Sequence, residues 1–326
     1  MSDVNYLELS GFANPGKKSS HKNPTIISLG DEPITTLRDE IRETYIELAD
    51  SMATKRHLTG MVNGVEMINN MPVATVDYKK FKIYIPLHEF VDIPEDDEIL
   101  GTSEQMKINY KAMLTGHRLW SIVDFVIKGI DEEARIATAS RKEAMMRKVR
   151  EYYLTPHLRT GAFKINEGAI VEARIVDTNP SFVTLEVFGL ECSVGYNEAS
   201  YTKIKSFQED FKIGENILVK IIKLERVIEG KRASVRVEVS IKQAQEEERR
   251  HILESYKIAS KYCGIVTCIE PYGYYVRIGG PNGNIDVLCT TRGLNVSPKL
   301  NSRVVVYVTK IDMKDLMMVG HIVHIS

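Results

Sequence analysis

The side chains of this chain best suited to hold a ligand are tyrosines and arginines set close together on one strand. Between Gly264 and Ile278 an apolar strand runs into a Pro271-Tyr272-Gly273 turn, then into Tyr274-Tyr275-Val276-Arg277-Ile278. Side chains alternate across a strand, so Val276 and Ile278 belong to a core while Tyr275 and Arg277 face out, with Tyr272 beside them at the turn. An outward tyrosine can stack on a base and an outward guanidinium can meet a phosphate, which is how single-stranded nucleic acid is held. Weaker sets of the same kind are Phe182 with Arg232 and Arg236, and Lys82 and Tyr84 with Asp131 and Arg135. Arg147 and Lys148 lie in the most basic short stretch, 141–154, where five bases stand against two acids, and are candidates for phosphate contact. Glu186 shares an outward face with Phe182 and would repel phosphate there.

Other chemistries lack their residues. There is no Gly-x-x-x-x-Gly-Lys-Ser/Thr loop, Gly-x-Ser-x-Gly elbow or His-Glu-x-x-His pair. His321 and His324, three apart in one strand, are expected on opposite faces and so make poor metal partners. The acids from Asp92 to Glu98 read as a solvated loop. No catalytic residue, metal site or cofactor is expected, and the chain does not read as an enzyme. Cys192, Cys263, Cys268 and Cys289 form no Cys-x-x-Cys pair and read as reduced, mostly buried thiols of a cytoplasmic protein. Net charge is −1, so a polyanion would have to be met by local patches. No apolar run approaches the roughly 18 residues of a membrane span, and Met1 to Asn23 lacks the apolar core of a secretory signal.

The elements that must position these residues are short strands in sets of five. Residues 1–34 read as a flexible tail. A helix at 35–56 starts from Thr36 as N-cap with Asp39 three residues on, and carries the stripe Leu37, Ile41, Tyr45, Leu48 and Met52, expected to pack on the first barrel. Strands at 58–67, 73–78, 81–86, 119–130 and 135–140 make a first unit over 57–140, with an acidic insertion after Phe90. A basic helical linker covers 141–164. A second unit at 165–243 has strands at 169–176, 183–188, 192–194, 217–224 and 234–240. A charged helical linker, read as a spacer, covers 244–261. A third unit at 262–326 has strands at 262–269, 274–278, 285–288, 303–311 and 316–324. The class is mainly β with helical linkers: three tandem five-stranded barrels of the oligonucleotide-binding (OB) kind plus an N-terminal helix.

These repeats resemble the S-one RNA-binding domain of a large ribosomal protein and several ribonucleases. The third unit has the family's opening in Gly264-Ile-Val and its aromatic strand in Tyr272-Gly273-Tyr274-Tyr275-Val276; Asp286 stands where the family has His, and the closing Arg is missing. The second keeps Gly168 to Val171, Phe182-Val183, Gly214 to Lys220 and the closing Ser240-x-Lys242, but has Asn179-Pro180-Ser181 for the aromatic-Gly turn. The first keeps Gly60-Met-Val and the ending Asp131, Arg135, Ser140-x-Lys142. The runs 72–86 and 139–145 also resemble S-one-like proteins of Gram-positive bacteria and their phages or prophages.

The resemblance implies binding of RNA or single-stranded DNA in the cytoplasm. A structural or adaptor protein remains open beside it, its barrels contacting protein in a ribosome or a phage assembly (virion-associated in the latter case). Near-zero charge, Asp286 and Glu186 speak for that second reading.

Overall fold

The computed structural model describes residues 36–92, 104–204, 206–229, 232–280, 282–291 and 296–325. The tail foreseen at 1–34 and most of the acidic insertion, Glu95 to Glu98 included, lie outside the described residues.

Helix α1 (Leu37–Thr54) starts at a capping box. The Thr36 hydroxyl accepts from the Asp39 N–H at 3.2 Å, and the Asp39 carboxylate accepts from the Thr36 N–H at 3.0 Å. Its stripe packs on the first barrel through Ile41, Tyr45 and Leu48, while Leu37 and Met52 stay exposed. Strands β1 (Leu58–Ile68), β2 (Met71–Tyr78), β3 (Phe81–Pro86), β4 (Ile122–Asp131) and β5 (Ile136–Ser140) close a barrel in the order β1-β2-β3-β5-β4. Period-2 patterning explains it: Phe81, Ile83 and Ile85 are buried while Lys82 and Tyr84 between them are half-buried. A turn α2 (Leu87–Phe90) and a helix α3 (Glu104–Gly116) lie between β3 and β4; α3 is an element the sequence reading left out.

Helix α4 (Arg141–Val149) continues as a π-helical turn through Leu154 and leads to the second sheet. That sheet comprises β6 (Ile170–Thr178), β7 (Phe182–Val187), β8 (Leu190–Gly195), β9 (Asn216–Glu229) and β10 (Arg232–Ser240), with short helical turns α5 (Tyr196–Ala199) and α6 (Phe207–Asp210) between β8 and β9. Its order is β10-β9-β6-β7-β8. No backbone ladder joins β8 to β10, so this second five-stranded unit is nearly closed where its neighbours are closed. In the other two units the third and fifth strands do pair, in parallel. The start of β8 is instead anchored towards α4. The β7–β8 turn uses Phe188 (φ 46°) and Gly189 (φ 95°), and a Cβ on Gly189 would fall 2.4 Å from the Met145 carbonyl oxygen. Two residues on, Glu191 is bonded to Arg141 of α4 at 2.6 Å.

After α7 (Ile241–Ala244) and α8 (Glu246–Glu254), the third barrel is built from β11 (Lys261–Glu270), β12 (Gly273–Gly280), β13 (Gly283–Thr291), β14 (Arg303–Asp312) and β15 (Met317–Ile325), closed as β11-β12-β13-β15-β14. Helix α8 is more than a spacer. Its Leu253 and the following Tyr256 are buried in the third core, and the Tyr256 hydroxyl donates to the Gly283 carbonyl at 3.1 Å. Ser140 and Ser240, the closing serines, each cap the helix that follows, accepting from Glu143 N–H at 3.0 Å and Gln243 N–H at 2.9 Å. Among the described residues no helix is long and apolar enough to cross a membrane. The four cysteines are free, but only Cys289 is fully buried and Cys263 is exposed, which corrects the expectation that most are buried.

Gly189→Ala adds a Cβ at a left-handed φ and against the backbone of α4. It is expected to lower stability by at least about 1–3 kcal/mol, read from denaturant unfolding; an unchanged midpoint would contradict the close approach.

Candidate nucleic-acid interface

The β11–β12 hairpin presents the tyrosine face. Gly273 lets β12 approach β13, since a Cβ there would lie 2.7 Å from the Cys289 carbonyl oxygen. Tyr272 is 59% exposed at the turn, and its hydroxyl lies 3.4 Å from that of Tyr275. That contact, reinforced by burial and by Glu270, pushes the Tyr275 hydroxyl up to about 12, so it stays a donor at neutral pH. Val276 and Ile278 are fully buried and Arg277 points out, as alternation requires.

The charges on this face differ from the expectation. Arg277 is not a free guanidinium. Asp286 lies directly opposite it on β13 and takes a two-point contact, Nε to Oδ1 at 2.9 Å and Nη2 to Oδ2 at 3.2 Å. The Asp286 side chain is 2% exposed and that of Arg277 49%, so a buried carboxylate holds a half-exposed cation. Lys203, from the loop after α5, is likewise paired with Glu270 at 2.9 Å. The tyrosine face is therefore aromatic with its cations already neutralised.

The remaining candidates are dispersed. Lys82 is paired with Glu66, and its ammonium lies 5.4 Å from the Tyr84 ring. Asp131 accepts from the Ala134 N–H at 3.0 Å and shapes the β4–β5 turn, where Arg135 adopts φ 55° with its side chain exposed. Arg236 is exposed on β10 opposite Glu225, and the side chain of Arg232 lies outside the described residues. Arg147 donates to the Thr54 carbonyl at 3.0 Å and to that of Lys55, closing the C-terminus of α1. Phe182 is 37% exposed and lines a cleft of about 1300 Å³ between the first barrel and the second sheet, with Met146, Arg150 and Leu190.

Lys148 lies inside a charge network that joins these two units. It contacts Asp124 of β4 and, at 2.8 Å, Glu186 of β7. Arg174 of β6 reaches Asp124 at 3.2 Å, and Arg141 reaches Glu191 at 2.6 Å and Glu186 at 3.9 Å. Arg118 bridges Glu191 at 2.6 Å and Asp177 at 3.5 Å. Four cations thus face four carboxylates, and the side chains of Asp124 and Glu186 are 2% and 3% exposed. Glu186 consequently does not face solvent as a phosphate-repelling group, because α4 and the first barrel cover it. The polar residues inside apolar strands, Asp124 in Ile122 to Ile127 and Arg174 in Ala173 to Val176, were the available sign of this network. Burial alone would raise the Asp124 and Glu191 carboxyls. Lys148 and Arg174 beside the first, and Arg141 and Arg118 beside the second, outweigh it and hold both below their ordinary 3.8 and 4.5.

His321 and His324 also depart from expectation. A bulge in β15 sets His321 opposite Tyr307 and His324 opposite Val305, so both share the outer face of the third barrel.

No family model matches the chain. A curated protein, the 4-hydroxy-3-methylbut-2-enyl diphosphate reductase of Fusobacterium nucleatum, is 25% identical over 140 residues, which is 42% of this chain but only 16% of that protein. Among solved structures, a multidomain protein with nucleic acid binding domains from Streptococcus pneumoniae TIGR4 is 12% identical, covering 81% of this chain and 72% of its own, at a TM-score of 0.17. The a/eIF2alpha–aDim2p–rRNA complex of Pyrococcus horikoshii OT3 matches at 18% identity over 28% of this chain and 57% of its own, at a TM-score of 0.20. Drosophila Unr CSD456 matches at 11% identity over 83% and 98%, at 0.17. TM-scores this low carry no argument about this chain's arrangement or activity.

Glu186→Ala leaves four cations facing three carboxylates in a buried site, with Lys148 keeping only Asp124 and Arg141 keeping Glu191, so it is expected to cost about 3 kcal/mol in denaturant unfolding, with Glu186→Gln milder; a loss below about 1 kcal/mol would contradict the network. Asp124 and Glu191 have folded values below their unfolded ones, so their stabilisation is complete above about pH 4.5 and is lost as pH falls through the folded values. Thermal melts from pH 6 to pH 3 are expected to fall less steeply in Asp124→Asn, whose carboxyl no longer titrates, than in the parent.

Proposed function

We propose that this chain binds single-stranded nucleic acid, RNA or single-stranded DNA, through barrels of the S-one type. The observation that carries the reading is the tyrosine pair Tyr272 and Tyr275, presented side by side on the outer face of a closed five-stranded barrel of the OB arrangement. Each tyrosine offers a base a stacking surface, and the paired hydroxyls add donors for a base edge or a ribose. With Arg277 held by Asp286, stacking rather than phosphate contact supplies most of the affinity at this face. The reading assigns the chain no catalytic step.

A second reading, an adaptor whose barrels contact protein in a ribosome or a phage assembly, is favoured by two features. The cations of the tyrosine face are neutralised within the chain, and the tip of the β1–β2 hairpin exposes Met67, Ile68 and Met71.

Tyr272→Ala and Tyr275→Ala are each expected to cost roughly 1–3 kcal/mol of affinity for a 12-nucleotide oligo(U), measured by fluorescence anisotropy at low salt. Unchanged affinity in the double variant would remove the site. No binding by the parent protein, together with stoichiometric capture of a defined protein partner, would establish the adaptor reading instead.

A further inference from the structure

The third barrel has a second outward surface, made by β11, β14 and β15, which adjoins the Arg277 position at Ile265. Register defines it row by row. Lys261 stands opposite Tyr307, Tyr307 opposite His321, and His321 opposite Thr290, whose hydroxyl lies 2.7 Å from the imidazole Nδ1. The next row is Cys263, Val305 and His324, and beyond it Ile265 faces Arg303. The interleaved Val304, Val306 and Val308 fill the core, which fixes the odd-numbered side chains of β14 on the outside.

What separates this face from the tyrosine face and from the charge network is that its charges are not cancelled. Arg277, Lys203, Lys82, Lys148, Arg174, Arg141 and Arg118 each meet a carboxylate within 4.0 Å. Among the described residues Lys261 and Arg303 meet none, and both are exposed. Lys299, in the turn that leads into β14, is a third exposed cation without one. No acidic residue stands in the three rows across β11, β14 and β15; the third row runs on through Ile265 to Arg277 and Asp286 of the neighbouring strands. Lys261 and Arg303 are four residues apart along the ladder, about 13 Å at strand rise. Tyr307 lies in the Lys261 row, so an aromatic ring is interleaved with the cations.

We infer that this face is the phosphate-binding surface of the third barrel: it takes the backbone of a single-stranded nucleic acid on Lys261, Arg303 and Lys299, while the tyrosine face takes bases. The inference rests on the proposed nucleic-acid reading and divides the labour between two adjoining surfaces of one barrel. The physical reason is desolvation and competition. A phosphate reaching Arg277 meets a guanidinium already neutralised by a buried carboxylate bonded at two points, whereas at Lys261 and Arg303 it meets an uncompensated charge and displaces only water and counterions.

The test is the salt dependence of oligo(U) binding to the full chain. Each phosphate contact on a single strand contributes about 0.7 to the slope of log affinity against log salt. Lys261→Ala with Arg303→Ala is expected to reduce the slope by about 1.4. Lys261→Arg with Arg303→Lys should keep it, and Tyr272→Ala with Tyr275→Ala should weaken binding with the slope unchanged. If the parent binds and the Lys261/Arg303 double alanine variant keeps the parental slope, the phosphate surface is overturned and the functional reading stands. If the parent binds no oligo(U) at any salt, both are overturned. Both substituted residues are exposed, and unaltered thermal melts would show that the variants fold.

Discussion

Lys148, held between Asp124 and Glu186, is the contact on which the arrangement of the first two units depends. An ammonium and two carboxylates so far from water are tolerable only as a set, because each one alone would carry the cost of a buried, uncompensated charge. Arg174, Arg141 and Arg118 extend the set to Glu191 and Asp177, so β4, α4, β6, β7 and β8 are tied together by charge as well as by apolar contact. The same set accounts for two features that are otherwise unrelated. It covers the outer side of β7, where Glu186 would have faced solvent, and it draws the start of β8 towards α4 while β10 remains unpaired to it.

Charge placement then separates where a polyanion could be met from where it could not. The basic helix, the most cationic short stretch of the sequence, holds the fold together: Arg141 and Lys148 lie inside the junction, and Arg147 closes the carbonyl end of α1. The tyrosine face is neutral in balance because Asp286 and Glu270 sit beside its cations. What it offers is aromatic surface and hydroxyls. The β11–β14–β15 face has the opposite character, with free cations and a single interleaved tyrosine.

Much of the architecture was legible. All fifteen strands lie where period-2 patterning and turn residues placed them, the Thr36–Asp39 box begins α1, and Val276 and Ile278 face inward while Tyr275 and Arg277 face out. The failures have specific causes. Helix α3 was hidden behind an acidic stretch, although Met106, Tyr110 and Met113 follow helical spacing. His321 and His324 were assigned to opposite faces because a bulge, which adds one residue to a strand, cannot be counted from alternation alone. That the second sheet stops short of full closure, with β8 anchored to α4, depends on contacts between residues far apart in the chain, which local patterning does not carry.

Local rules were enough for whatever depends on neighbours in the chain. Strand, cap and turn follow from residues within a few positions of one another, and the sequence by itself determined three five-stranded units, the helix before them and the direction in which Tyr275 points. Whether a cation is free is a different kind of property. Lys148 and Glu186 are 38 residues apart, Arg141 and Glu191 are 50 apart, and even the cross-strand partners Arg277 and Asp286 are 9 apart. Coulomb attraction in a dry junction depends on separation in space, which the folded chain alone supplies. Tertiary structure therefore decided which arginines and lysines are already neutralised and which, like Lys261 and Arg303, are still exposed without a carboxylate partner.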